Sequence, residues 1–155
     1  MAVTFALPPK SVLGGSDMVQ LNSMEERIAL LNQAGMEEVA VLNFTHEMAA
    51  MTARDFMQQV LKEQLGVAVL VIGYDHRFGH GGNNNFEDYL RYGEELGIKV
   101  VRGEELRGSE CKFCSSSIRK SLLSGDVEGA SRLLGYNYLM EGTVVGGFRV
   151  GRRIG

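Results

Sequence analysis

Apolar residues recur along this chain in two alternating rhythms, short unbroken runs and the three-and-four spacing of a helix face. Val3-Thr4-Phe5-Ala6 reads as a short strand ahead of the Pro8-Pro9 break. Ser23-Met24-Glu25-Glu26 fits a capping box, and Met24, Ile28 and Leu31 then follow at helical spacing until Gly35. Val39 to Leu42 is a second apolar run. After it Thr52-Ala53-Arg54-Asp55 offers another capping box, with Phe56, Val60 and Leu61 on one face before Gly66. The most hydrophobic run is Val67 to Ile72, and its lack of alternation predicts a central strand covered on both faces. Phe86 to Leu96 resumes helical spacing up to Gly97, Ile98 to Val101 is the next strand, and Ser115 to Leu123 and Val127 to Leu134 read as two helices, the second capped by Asp126. Alternation of this kind predicts an α/β fold, a parallel sheet flanked by helices.

From Tyr138 the character changes. Met140 to Val145 reads as a strand, and Gly146 to Gly155 is rich in glycine and arginine with no helix after it, so the chain is expected to stop inside a further domain. No internal repeat is visible.

Composition narrows the class. With 155 residues, 45% hydrophobic and 23% charged, the chain is a folded globular protein of about one domain. Sixteen basic residues against 19 acidic ones, net −3, lack the footprint of a general nucleic-acid binder, so no nucleic-acid partner is expected. No apolar run approaches the roughly 20 residues of a membrane span, and Met1 to Ser11 lacks the basic start of a signal peptide, so the expected location is the cytoplasm, off the membrane.

In an open parallel sheet ligands bind at the carboxyl ends of strands, which directs attention to two loops. Gly73-Tyr74-Asp75-His76-Arg77-Phe78-Gly79-His80-Gly81-Gly82 follows the expected central strand. Its glycines admit a backbone close to a ligand, its aromatic rings can stack on a flat one, and Asp75 or Arg77 can bond polar edges; the alternative is a mobile surface loop. Lys112-Phe113-Cys114-Ser115-Ser116-Ser117-Ile118-Arg119 places hydroxyls at a helix start with Arg119 one turn in, chemistry suited to phosphate, although a serine cap beside a solvated arginine has the same pattern. His76 and His80 with Cys111 and Cys114 make a poor zinc set, because the histidines lie in a glycine-rich loop; structural or incidental thiols fit the cysteines better. His46 reads as a surface residue.

At these two loops the sequence resembles the prokaryotic bifunctional FAD synthetases, riboflavin kinase joined to FMN adenylyltransferase. Thr4-Phe5, Pro9 and Val12-Leu13 are similar to the family's T-F-x-P-H-P-x-x-V-L segment. Leu21-Asn22-Ser23-Met24-Glu25-Glu26-Arg27 resembles its L-T-S-x-E-E-K, Gly73 to Gly79 its G-x-[DN]-x-R-F-G flavin loop, and Lys112 to Arg119 the R-x-S-S-T-x-I-R signature of the nucleotidyltransferase superfamily. Gly125-Asp126-Val127, Leu133-Leu134-Gly135 and Tyr138 resemble G-D-V…L-L-G-x-P-Y, and Gly142 to Gly155 the opening of a riboflavin kinase barrel. The resemblance implies a Rossmann-like nucleotidyltransferase domain over 1–137 and the first strand of a β-barrel domain within 138–155. It implies adenylyl transfer from ATP, as its Mg2+ complex, to FMN, giving FAD and pyrophosphate. Ser115, Ser116 and Arg119 would act in catalysis and hold ATP phosphates with Lys112, while Gly73, Asp75, Phe78 and Pro9 would shape the flavin side.

The sequence also departs from the family. Nothing matches its first signature, G-x-F-D-G-V-H-x-G-H, which supplies a first strand and two histidines on ATP phosphates, and Leu7-Pro8-Pro9 stands where the family has P-H-P. A non-catalytic flavin- or nucleotide-binding module, or an adenylyltransferase for another phosphomonoester, is the alternative. Both ends read as cut, so the 155-residue chain by itself is expected to make little or no FAD. Appreciable FAD formation from FMN and MgATP by the purified chain overturns that expectation.

Overall fold

Helix starts in this protein are set by local capping. In the computed structural model, which describes residues 1–14, 20–105 and 113–146, Ser23 accepts from the Glu26 amide while the Glu26 carboxylate accepts from the Ser23 amide at 2.7 Å. This reciprocal box satisfies two donors that a helix start leaves without partners. It opens α2 (Met24–Gln33), and Asn85 with Asp88 builds the same box at α5 (Phe86–Leu96). Gly97 closes α5 in the left-handed conformation, φ 70°, which glycine adopts without steric cost.

The chain divides into two compact units, Met1–Leu106 and Arg107–Gly155. In the first, β1 (Ala2–Phe5) runs through α1 (Pro9–Val12) and α2 to β2 (Val39–Leu42), with β1 and β2 parallel and Ala2 opposite Val39. After α3 (His46–Ala50), α4 (Ala53–Asp55) passes into a π-helical segment, Phe56–Gln64, that leads to β3 (Val69–Ile72). From β3, α5 crosses over to β4 (Lys99–Arg102), again parallel, with Val69 opposite Lys99. Parallel neighbours need such crossovers, so the strand-helix alternation of the sequence is realised twice.

Two expectations are corrected here. Among the described residues the strands form two two-stranded sheets, β1-β2 and β3-β4, rather than one sheet with Val67 to Ile72 at its centre. Among the described residues β3 pairs with β4 alone, and Val69 and Val71 stay 54% and 65% exposed. Their continuous apolarity has a different cause, since both valines line a cavity that β1 also borders. Met140 to Val145 forms no strand, and Val144 is 99% exposed; β-rich composition builds a strand only where another edge offers its hydrogen bonds. Among the described residues no strand of a C-terminal barrel is present.

Packing is concentrated around β3, β4 and α5. Ala53, Met57, Leu61, Ile72, Tyr89, Leu96 and Ile98 form one buried cluster. Helix α5 lies so close to β4 that a Cβ at Gly93 would stand 2.5 Å from the Ile98 carbonyl oxygen and 2.6 Å from Val100 Cγ2. On its far side α5 is tied to α4 by Arg54 Nε and Glu95 at 2.8 Å, an exposed pair that contributes little. In the second unit α6 (Ser115–Leu123) packs on α7 (Val127–Leu134), burying Ile118 and Ala130. No helix among the described residues is long and apolar enough to cross a membrane.

Gly93→Ala tests the seating of α5. Helix propensity alone favours alanine by about 1 kcal/mol, but overpacking against backbone costs about 1–3 kcal/mol and should dominate, so urea unfolding is expected to show a net loss of stability. A stabilised variant would mean that α5 lifts from β4 without cost.

Candidate functional site

The loop after β3 is held in place at several points. It opens with a turn in which the His76 amide donates to the Gly73 carbonyl at 3.1 Å. Two residues on, Phe78 is fixed by Tyr89 of α5. The Tyr89 hydroxyl accepts from the Phe78 amide at 2.9 Å and donates to the Phe78 carbonyl at 3.0 Å, and the two rings stack with centroids 4.5 Å apart and planes 19° apart. Phe56, at the start of the π-helix, lies 5.5 Å from the Phe78 ring. Gly79 has φ +94°, and a Cβ there would stand 2.5 Å from the Ala53 amide nitrogen, so only glycine fits this approach. Beyond it the His80 amide donates to the Met51 carbonyl at 2.8 Å.

Two cavities flank the loop. The larger, about 1280 Å³, lies between the edges of β1 and β3 and takes Pro9, Gly73 and Phe78 into its wall. All three histidines of the chain, His46, His76 and His80, line it together with Arg77, and His46 is the exposed residue the sequence suggests, on this wall. The smaller cavity, about 330 Å³, is lined by Gly73, Asp75, Asn84 and Tyr89 among others. Of the residues expected on the flavin side, the structure therefore brings Pro9, Gly73 and Phe78 together and sets Asp75 on the other cavity. Arg102, the last residue of β4, closes the small cavity by donating to the Tyr74 carbonyl at 2.9 Å and lying 5.3 Å over the Phe86 ring.

Ser115, Ser116 and Arg119 belong to the second unit, at the start of α6. Helices α2, α5 and α7 each have a side-chain cap, from Ser23, Asn85 and Asp126, whereas Cys114 at the α6 cap position makes no side-chain cap bond and instead contacts the Ser117 hydroxyl at 3.1 Å. Ser115 and Ser116 are exposed, Arg119 is half-buried, and the first turn holds no acidic residue. Spacing of three and four puts Arg119 on the face of Ser116 and Ser115. Such a helix start, with the positive end of its dipole undiminished, suits an anion. Lys112 and Cys111 lie outside the described residues.

A sequence model of FAD synthetase matches residues 1–117. The chain belongs to the FAD synthetase family. It is 29% identical over 136 residues to the bifunctional riboflavin kinase/FMN adenylyltransferase of Escherichia coli K12, covering 88% of this chain and 44% of that protein. The protein of the same name from Listeria monocytogenes is 28% identical over 155 residues, 99% of this chain and 49% of the relative. The chain thus spans just under half the length of these curated relatives. Among solved structures, one described as a macrolide-efflux protein from Streptococcus pneumoniae superposes with a TM-score of 0.75 at 27% identity, over 88% of this chain and 52% of that one.

The loop also carries a polar link that is not legible in the sequence. Tyr74 hydrogen-bonds to Glu105, beyond β4, and this carboxylate raises the phenol above its ordinary range, with desolvation and the charge of Asp75 adding in the same direction. The sign follows from the charges, since a phenolate beside two carboxylates is disfavoured. Replacing Glu105 by glutamine removes one of those charges. The Tyr74 titration, read by ultraviolet difference absorbance in Glu105→Gln, is expected to move down toward that of an ordinary tyrosine; an unmoved midpoint would rule out the Glu105 contact as the cause.

Proposed function

We propose that this chain carries the adenylyl-transfer part of FAD synthesis. A phosphate oxygen of FMN attacks the α-phosphorus of ATP, the bond from that phosphorus to the oxygen bridging to the β-phosphate breaks, and pyrophosphate leaves as FAD forms. No covalent intermediate on the protein is involved, so catalysis consists of positioning and of stabilising charge on the transferring group. ATP enters as its Mg2+ complex. Ser115, Ser116 and Arg119 take the ATP phosphates, with Lys112 assisting, and Gly73, Asp75, Phe78 and Pro9 form the flavin side. The reading extends to the whole protein: residues 1–137 form the adenylyltransferase part, 138–155 open a riboflavin kinase domain that makes FMN from riboflavin, and the enzyme works in the cytoplasm on small molecules.

One observation carries the proposal. In a chain of this family, the loop that resembles the flavin loop is held with Phe78, Gly73 and Pro9 on the wall of a single cavity whose volume, about 1280 Å³, admits a tricyclic ring. The bare start of α6, with Ser115 and Ser116 exposed, supports the phosphate assignment.

The chain is expected to bind FMN, read by quenching of flavin fluorescence, and MgATP, read by calorimetry, whether or not it turns them over. Arg119→Ala should weaken MgATP by about tenfold or more and leave FMN unchanged, the value of a charge-assisted contact. Failure to bind either ligand, or displacement of FMN by pantetheine phosphate or nicotinate ribotide, would sink the assignment.

A further inference from the structure

We propose that Tyr89 is the positioning residue of the flavin loop, using its hydroxyl to hold the Phe78 backbone and its ring to fix the Phe78 side chain toward flavin. The role toward flavin rests on the function proposed above. The anchoring geometry is independent of it.

Tyr89 lies in the inward stripe of α5 with Phe86, Gly93 and Leu96, and is 1% exposed. A leucine or phenylalanine would fill such a position without burying a hydroxyl, and burying a hydroxyl is costly unless it is bonded. Here the hydroxyl finds both of its partners outside the helix, on one residue eleven positions earlier: the Phe78 amide at 2.9 Å and the Phe78 carbonyl at 3.0 Å. These are bonds the helix does not need and the loop does. From Gly73 to Asn85 the chain has four glycines and three asparagines, a composition that leaves a loop many conformations. Tyr89 removes that freedom at Phe78. Gly79 against Ala53 and the His80 amide on Met51 remove it at the next two residues.

The consequence is directional. Stacking on Tyr89 covers one face of the Phe78 ring, so Phe78 meets the larger cavity with its remaining surface and serves as a fixed wall for a flat ligand. A loop already ordered in the free protein loses less entropy when the ligand arrives. When the ordered form is only a fraction of the population, apparent affinity falls by that fraction.

Tyr89→Phe keeps the ring and removes the hydroxyl. In the 155-residue chain the variant is expected to bind FMN about tenfold more weakly through a faster off-rate, to keep its MgATP affinity, and to lose most of the exchange protection of the Phe78 amide, followed in 15N-labelled protein. Equal FMN affinity in variant and parent, with FMN bound by both, would overturn the role of Tyr89 alone. Loss of FMN and MgATP affinity together with a lowered urea midpoint would reduce Tyr89 to a core residue, which also overturns it. If the parent chain binds no FMN, the flavin reading falls and the positioning role falls with it, whatever the Phe78 amide does. Rapid exchange of the Phe78 amide in the unaltered chain overturns the proposal before any variant is made, so a variant that failed to fold would not protect it.

Discussion

The seating of α5 on β4 is the contact on which the candidate site depends. Gly93 brings the helix against the Ile98 carbonyl and the Val100 side chain, and that approach fixes where Tyr89, one turn earlier on the same face, enters the core. The core cluster then extends from Ile72 and Ile98 through Tyr89 to Met57 and Leu61 of the π-helix. By contrast β1, β2 and α2 bury no residue fully, so the tightly packed part of the first unit is the part that carries the loop. A ligand loop attached to the weaker sheet would open with it; attached to α5, it opens only when the core does.

Packing and electrostatics at the loop act in the same sense. Arg102 donates to the Tyr74 carbonyl while its guanidinium lies over Phe86, which binds the first residue after Gly73 to both β4 and α5. Glu105 holds the Tyr74 hydroxyl from the segment that follows β4. The loop is therefore tied along its length, at Tyr74 by polar contacts and at Phe78 to His80 by hydrogen bonds and close packing. Preorganisation of this kind suits a reaction whose catalysis is mainly positioning.

What was legible in the sequence was local. The Ser23 box, the extent of α5 from Phe86 to Leu96 and the stop at Gly97 depend on neighbours within four residues, and the structure repeats them. Pairing was not legible, because the apolar run of β3 says that its side chains avoid water but not whether a strand or a cavity lies beside them. Met140 to Val145 failed for the related reason that β-branched composition cannot supply the second edge a strand requires. Within the site, Gly73, Phe78 and Pro9 were visible through their resemblance to family motifs, and they meet on one wall. Asp75 was placed with them by the same motif, and it lines the smaller cavity beyond the turn at Gly73 to His76. Tyr89 lies unmarked within the helical stretch Phe86 to Leu96. A signal was available, since a tyrosine in a buried stripe must find partners for its hydroxyl, and a glycine-rich loop next in space has unpaired backbone to offer.

The second unit follows the opposite principle. Where α2, α5 and α7 begin with an oxygen that accepts from the first turn, α6 begins with a thiol turned to Ser117. Omitting a cap costs a helix about 1 kcal/mol, and a nine-residue helix that buries Ile118 against α7 has little to spare. In the function proposed here an ATP phosphate accepts from that first turn, so the helix is completed by its substrate. In that reading the two segments differ in how they are prepared for a ligand: the loop at Phe78 is held by the protein beforehand, and the start of α6 has no side-chain cap bond from Cys114. That difference fits the two ligands proposed, because a neutral ring gains most from a rigid wall and a phosphate gains most from helix-start amides that no capping side chain occupies.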